Sequence, residues 1–315
     1  MDYTWMPLLI SEDSYLITTD IQYRGVNIKV VRDDIFPFIG GGSKARKAMA
    51  YETFLRSNGY NAVVTCGGIQ SNHNRAMALM CARNGWKCHL CIQGTKDRFM
   101  SEKGNALLNR LSGAECEFIN PEETSEAMDR AMNRLQIKGY NPYYVIGGGH
   151  NLPGGTCFVD AIKELKKQCE KINYKPDYIF LASGTGSTQA GIVVGLDLVD
   201  WSDVKCVGIS VARKYERGKS VIVEFANMLA NHYGLENDYS DKILFNDNYL
   251  CGGYEKYTPE IEQQLTDAMA HTGMIFDTTY SGKGFYGMMQ EINKHNLHNK
   301  NIIFWHTGGI MNIMK

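Results

Sequence analysis

Tyr178-Ile179-Phe180-Leu181-Ala182-Ser183-Gly184-Thr185-Gly186-Ser187-Thr188 is the stretch that decides how this chain folds. Five apolar or aromatic residues stop abruptly at small and hydroxyl-bearing ones, and the spacing from Gln189 to Leu198 then turns helical. A strand that ends in a glycine-rich turn and runs into a helix is half of a parallel β-α-β unit. Such a turn offers unpaired backbone N–H groups and the positive end of a helix dipole, an arrangement that binds a phosphate. It is not a dinucleotide fingerprint, because after Gly184 and Gly186 the next glycine is Gly191. Nor does the chain hold a P-loop, since Gly218-Lys219-Ser220 would need glycine where Arg213 stands.

The same alternation extends outward in both directions. Residues 27–32, 61–65, 87–92, 205–211, 273–276 and 301–305 also read as strands, and 75–84, 102–111, 124–138, 156–171 and 259–271 as helices. The fold class is therefore α/β, with open, twisted, mostly parallel sheets flanked by helices. Gly147-Gly148-Gly149 through Pro153-Gly154-Gly155 reads as the one connection between two such units. Ligands of parallel sheets bind beyond the carboxyl ends of the strands, which points to five loops. These are Gly40 to Lys44, Cys66 to Asn74, Ser183 to Thr188, Thr279 to Gly282 and His306 to Gly309.

Composition narrows the partner. With 315 residues the chain can bury a large core, and 33 basic against 34 acidic side chains leave no electrostatic reason to expect nucleic acid or an acidic membrane. A small molecule is the expected partner. Residues 1–14 lack the basic and apolar regions of an export signal, and no apolar run reaches membrane-spanning length, so a cytoplasmic protein is expected. Nine scattered cysteines then read as reduced thiols. Cys88 and Cys91 have C-x-x-C spacing but lie in a strand, where side chains three apart point to opposite faces, so they read as packing. The histidines show no metal-ligand spacing and no metal is expected; His73 and His306 draw interest because they fall in the candidate loops. Gly282, Gly284 and Gly287 form a G-x-G-x-x-G placed after an expected strand, but no acidic residue follows at the ribose position.

Lys44 completes the chemistry. A lysine in a glycine-rich segment, near Arg46 and Lys47, has its ammonium destabilised by cationic neighbours and desolvation, which favours Schiff-base formation with a carbonyl. An aldehyde cofactor that also carries one phosphate is pyridoxal 5'-phosphate.

Three motifs then carry a resemblance: Ser43-Lys44-Ala45-Arg46-Lys47 after two glycines, Gly67 to Arg75, and Gly184 to Gly191. Together they resemble the fold-type II (tryptophan synthase β-like) pyridoxal-phosphate enzymes, in the branch of D-cysteine desulfhydrase and 1-aminocyclopropane-1-carboxylate deaminase. The resemblance implies that Lys44 carries the cofactor, that Lys47 reaches its phosphate, and that Gly184, Thr185, Gly186, Ser187 and Thr188 hold that phosphate. It implies that Asn72 bonds the ring oxygen, and that Ser71 holds the substrate carboxylate or acts at the reacting carbon. Tyr254 and Tyr280 match two active-site tyrosines. It further implies a homodimer and a large domain of residues 1–46 and 153–315 that closes on a small domain of residues 47–152. The branch's deaminases carry a glutamate where this chain has Ser281, so a hydroxyl from Ser281 or Thr307 faces the pyridine nitrogen and leaves the ring a weaker electron sink. That favours α,β-elimination, with D-cysteine as the expected substrate, over opening of the cyclopropane; a β-replacement synthesis, in which a second nucleophile captures the same aminoacrylate, stays open.

Overall fold

The computed structural model describes residues 16–314. The expectation of an unexported amino terminus concerns residues 1–14 and lies outside them.

The described residues begin with an antiparallel pair, β1 (Thr18–Tyr23) and β2 (Val26–Val31), and then enter α1 (Ser43–Ser57). A second run follows: β3 (Ala62–Gly68), α2 (Asn72–Asn84), β4 (Lys87–Gln93), α3 (Lys96–Ser101), α4 (Gly104–Leu111), β5 (Glu115–Ile119), α5 (Thr124–Ile137) and β6 (Pro142–Tyr144). A third comprises α6 (Leu152–Lys171), β7 (Tyr178–Ser183), α7 (Ser187–Leu198), β8 (Lys205–Ser210), α8 (Tyr215–His232), β9 (Leu244–Asn246), α9 (Pro259–Thr272), α10 (Ser281–Lys294) and β10 (Ile302–Trp305).

Two sheets result. The larger has the order β1-β2-β10-β7-β8-β9 and draws on both ends of the described chain, whereas the smaller, β5-β4-β3-β6, comes wholly from its middle. Among the described residues every pairing except β1 with β2 is parallel. The reason is visible in β10: Ile302, Ile303, Phe304 and Trp305 are all fully buried, as a strand covered by helices on both faces requires. One cover packs α6, α7 and α8 against residues such as Leu181 and Ile303, and the other packs α9 and α10 against Phe180 and Phe304. In the smaller sheet Cys88 faces one core and Cys91 the other, so the two thiols do lie on opposite faces, and all nine cysteines are free.

Three expectations need correction. Residues 273–276 form no strand: Gly273 is the left-handed cap of α9, and the alternation of buried Met274, exposed Ile275 and buried Phe276 belongs to an unpaired linker. Consequently Gly282, Gly284 and Gly287 sit inside α10 rather than before a helix. A Cβ on Gly284 would lie 2.9 Å from the backbone nitrogen of Ala182, so this glycine serves the close approach of α10 to β7. Last, Pro153, Gly154 and Gly155 open α6, with the proline in its first turn, instead of forming a linker.

Candidate active site

The register of the larger sheet pairs Leu181 with Trp305 and Ser183 with Ser210, so the loops after β7, β8 and β10 emerge side by side. They face the end of β3 across a cavity of about 690 Å³ lined by residues from all five loops singled out in the sequence. That volume suits a cofactor together with a small substrate.

Lys44 is not in the glycine loop but in the first turn of α1, whose cap is Gly42. It lines the cavity, donates to Gly148 O at 3.3 Å, and burial pushes its amine down to about 8. Arg46 does not contribute: it turns to Asp33, at 3.0 Å from Nε and 2.5 Å from Nη2, and Asp33 also accepts from Trp305 Nε1 at 2.8 Å. Lys47 does converge on Lys44. Fully buried, it donates to the same Gly148 O at 2.9 Å and to Ser187 Oγ at 2.6 Å, and burial, then the neighbouring Lys44, lowers its pKa well below the lysine range.

The glycine-rich turn is cradle-shaped. Gly186 caps α7 at φ +97°, and the first N–H groups of a helix lack intrahelical acceptors. Arg213 ties down the carbonyls of Gly184 (3.2 Å) and Thr185 (2.8 Å) from outside the turn. Gly184, Thr185, Gly186 and Thr188 line the cavity, while Ser187 stands behind them on Lys47 and Gly149 O. Neither Lys47 nor Ser187 therefore lines the cavity.

Across from this turn, Ser71 caps α2 by accepting from Asn74 N at 3.1 Å, and Asn72 Oδ1 accepts from Asn105 at 2.9 Å; both residues line the cavity. His73 lines it too, kept neutral by burial and by the two lysines, with Nε2 bonded to Thr65 Oγ1 at 2.8 Å. His306 does not: it stacks on Phe276, bonds Ile275 O through Nε2 and receives Gly308 N at Nδ1. Tyr254 and Tyr280 both line the cavity, and their hydroxyls hydrogen-bond. Burial pushes Tyr254 up to about 12 and Tyr280 well above the tyrosine range.

Ser281 is corrected. Its side chain is fully buried off the cavity, and its hydroxyl is spent on Asp277 Oδ1 at 2.8 Å, leaving Thr307 as the member of the expected hydroxyl pair that lines the cavity. Sequence reasoning also missed Gly148, Arg213 and Arg75. Gly148 acts through a main-chain oxygen that no side-chain motif reveals, and Arg75 grips Gly40 O and Gly41 O at 2.8 and 3.0 Å. Arg213 had a signal, since it follows β8 at the carboxyl end of the sheet.

These residues fit pyridoxal phosphate: a cavity-facing amine of lowered basicity, a turn of open amides for one phosphate, and a left-handed cap where a Cβ would strike Ile222. The fold and the site define a fold-type II pyridoxal-phosphate enzyme. Residues 20–308 match the family described as "Pyridoxal-phosphate dependent enzyme", and the chain belongs to that family. Within it, the chain is 33% identical over 296 residues to a Thermotoga maritima protein named "Putative 1-aminocyclopropane-1-carboxylate deaminase", covering 92% of this chain and 90% of that one. A Pyrococcus horikoshii protein of the same name is 31% identical over 302 residues, covering 93% and 89%. A solved structure described as an ACC deaminase homologue matches with a TM-score of 0.82 at 29% identity, covering 92% of this chain and 86% of that chain. The protein is thus a pyridoxal-phosphate-dependent enzyme, a lyase or deaminase. Among the described residues no helix is long and apolar enough to cross a membrane.

Proposed function

We propose that the protein eliminates the β-substituent of a small amino acid, with D-cysteine and water giving pyruvate, hydrogen sulfide and ammonia. When bound, pyridoxal phosphate draws electrons from the amino acid's Cα, so that its proton and then the β-substituent can leave. Lys44 is the base supported best: burial lowers its amine to about 8, whereas the same effect raises the Tyr280 phenol, which keeps its proton at neutral pH. Tyr280 and Tyr254 then serve as proton donors near the reacting carbons, Ser71 orients the substrate carboxylate at the start of α2, and Asn72 bonds the ring oxygen of the cofactor. The two sheets act as two lobes, the smaller closing over the cavity to exclude water. A homodimer accompanies this reading by resemblance.

The observation that carries elimination is at Ser281 and Thr307. Where the branch's deaminases place a glutamate, this chain has a serine bound to Asp277, and a threonine hydroxyl lines the cavity. A weak electron sink favours expulsion of hydrosulfide, which needs less delocalisation than opening a carbon ring. A second reading, deamination of 1-aminocyclopropane-1-carboxylate, is favoured by the names of the relatives. The test is 2-oxo acid and sulfide release from D-cysteine, L-cysteine, β-chloroalanine, cysteate and 1-aminocyclopropane-1-carboxylate. Elimination predicts sulfide from D-cysteine as the fastest reaction, whereas turnover of the cyclopropane alone sinks it.

A further inference from the structure

Lys283 stands where a cation is least welcome. It is fully buried and is the third residue of α10, at the positive end of that helix dipole. An apolar side chain would fill the place at lower cost. Its Nζ instead donates to two main-chain carbonyls, Leu250 O at 2.8 Å and Gly253 O at 2.6 Å.

Those carbonyls belong to the loop that carries Tyr254. Its backbone is left-handed at two non-glycine positions, Cys251 (φ +51°) and Glu255 (φ +59°), a conformation that persists only where surrounding structure holds it. Tyr280 immediately precedes α10, and Lys283 grips the carbonyl next to Tyr254, so the first turn of one helix sets both ends of the hydroxyl pair over the cavity.

We infer that Lys283 is a positioning residue, a clamp that holds the loop of residues 250–255 so that the Tyr254 hydroxyl stays on Tyr280. This rests on the reading of the two tyrosines as part of the reaction site. Without the lysine neither carbonyl is orphaned, because Leu250 O keeps Gly253 N (3.1 Å) and Gly253 O keeps Lys256 N (3.2 Å). Lys283→Met therefore loosens the loop without unfolding the chain.

The experiment is a double-mutant cycle joined to limited proteolysis. Lys283→Met lowers kcat by about tenfold or more with a smaller change in KM, yet in a Tyr254→Phe background it costs under about twofold. Trypsin cleavage after Lys256, followed with and without pyridoxal phosphate, becomes several-fold faster while Tm holds within a few degrees. Lys283→Gln, able to donate to one carbonyl, falls between, and it decides the matter if Lys283→Met does not fold. Equal losses in both Tyr254 backgrounds, or unchanged proteolysis, overturn the clamp. If no amino acid is turned over, the proposed function fails while the proteolysis still decides on Lys283.

Discussion

The amines of Lys44 and Lys47 meet on one oxygen, Gly148 O, at 3.3 and 2.9 Å. Two ammonium groups cannot share one buried carbonyl comfortably, and burial lowers both, Lys44 to about 8. The unfolded chain then holds protons that the folded chain has shed. Stability of the cofactor-free protein therefore rises as pH climbs toward the ordinary lysine range, and the full penalty from Lys44 is present below about 8. Lys44→Met removes much of that rise. Denaturant midpoints across this window check it, and an unchanged slope in the variant contradicts it.

Asp33 sits at the centre of a buried network, accepting from Arg46 on α1 and from Trp305 on β10. Asp33→Ala leaves the Arg46 guanidinium buried without its partner, which costs about 3–5 kcal/mol. A urea titration followed by tryptophan fluorescence measures the loss. A change below about 1 kcal/mol would show that the network does not anchor the start of α1 to the sheet.

Much of this architecture is legible because α/β sequences advertise it. The run of residues 178–182 and the glycines after it give β7, the cradle and α7, and the burial of residues 302–305 follows from their composition. The errors come from ambiguous periodicity. Met274, Ile275 and Phe276 alternate like a strand because they cross a buried corner, and only the lack of a pairing strand distinguishes them. Lys44 looked like a loop residue because three glycines precede it, although the helix begins at Ser43. Motifs pointed to Lys44, Ser71, Asn72 and the turn from Gly184 to Thr188, most of which line the cavity, but Gly148 O and the partner of Ser281 depend on tertiary geometry.

Gly186 holds φ +97°, and a Cβ there would come within 2.3 Å of Ile222 Cγ1. Gly186→Ala therefore strains the turn by roughly 1–3 kcal/mol and pulls its amides out of register. Tm falls, and the Kd for pyridoxal phosphate, read by fluorescence quenching, rises about tenfold or more. Unaltered affinity would mean that the cradle does not hold the phosphate.

Tyr280→Phe removes a half-buried proton donor while leaving Lys44 and the cradle intact. Cofactor absorbance is retained, and kcat for the best amino acid drops by about 10²–10⁴. Steady-state kinetics on the holoenzyme test this, and a loss confined to KM would place Tyr280 in binding alone.

The most direct measurement is borohydride reduction of the protein loaded with pyridoxal phosphate, followed by peptide mass spectrometry. The cofactor's mass should appear on Lys44 and vanish in Lys44→Ala. Label on Lys47 or elsewhere, or none at all, would contradict the assignment of that amine.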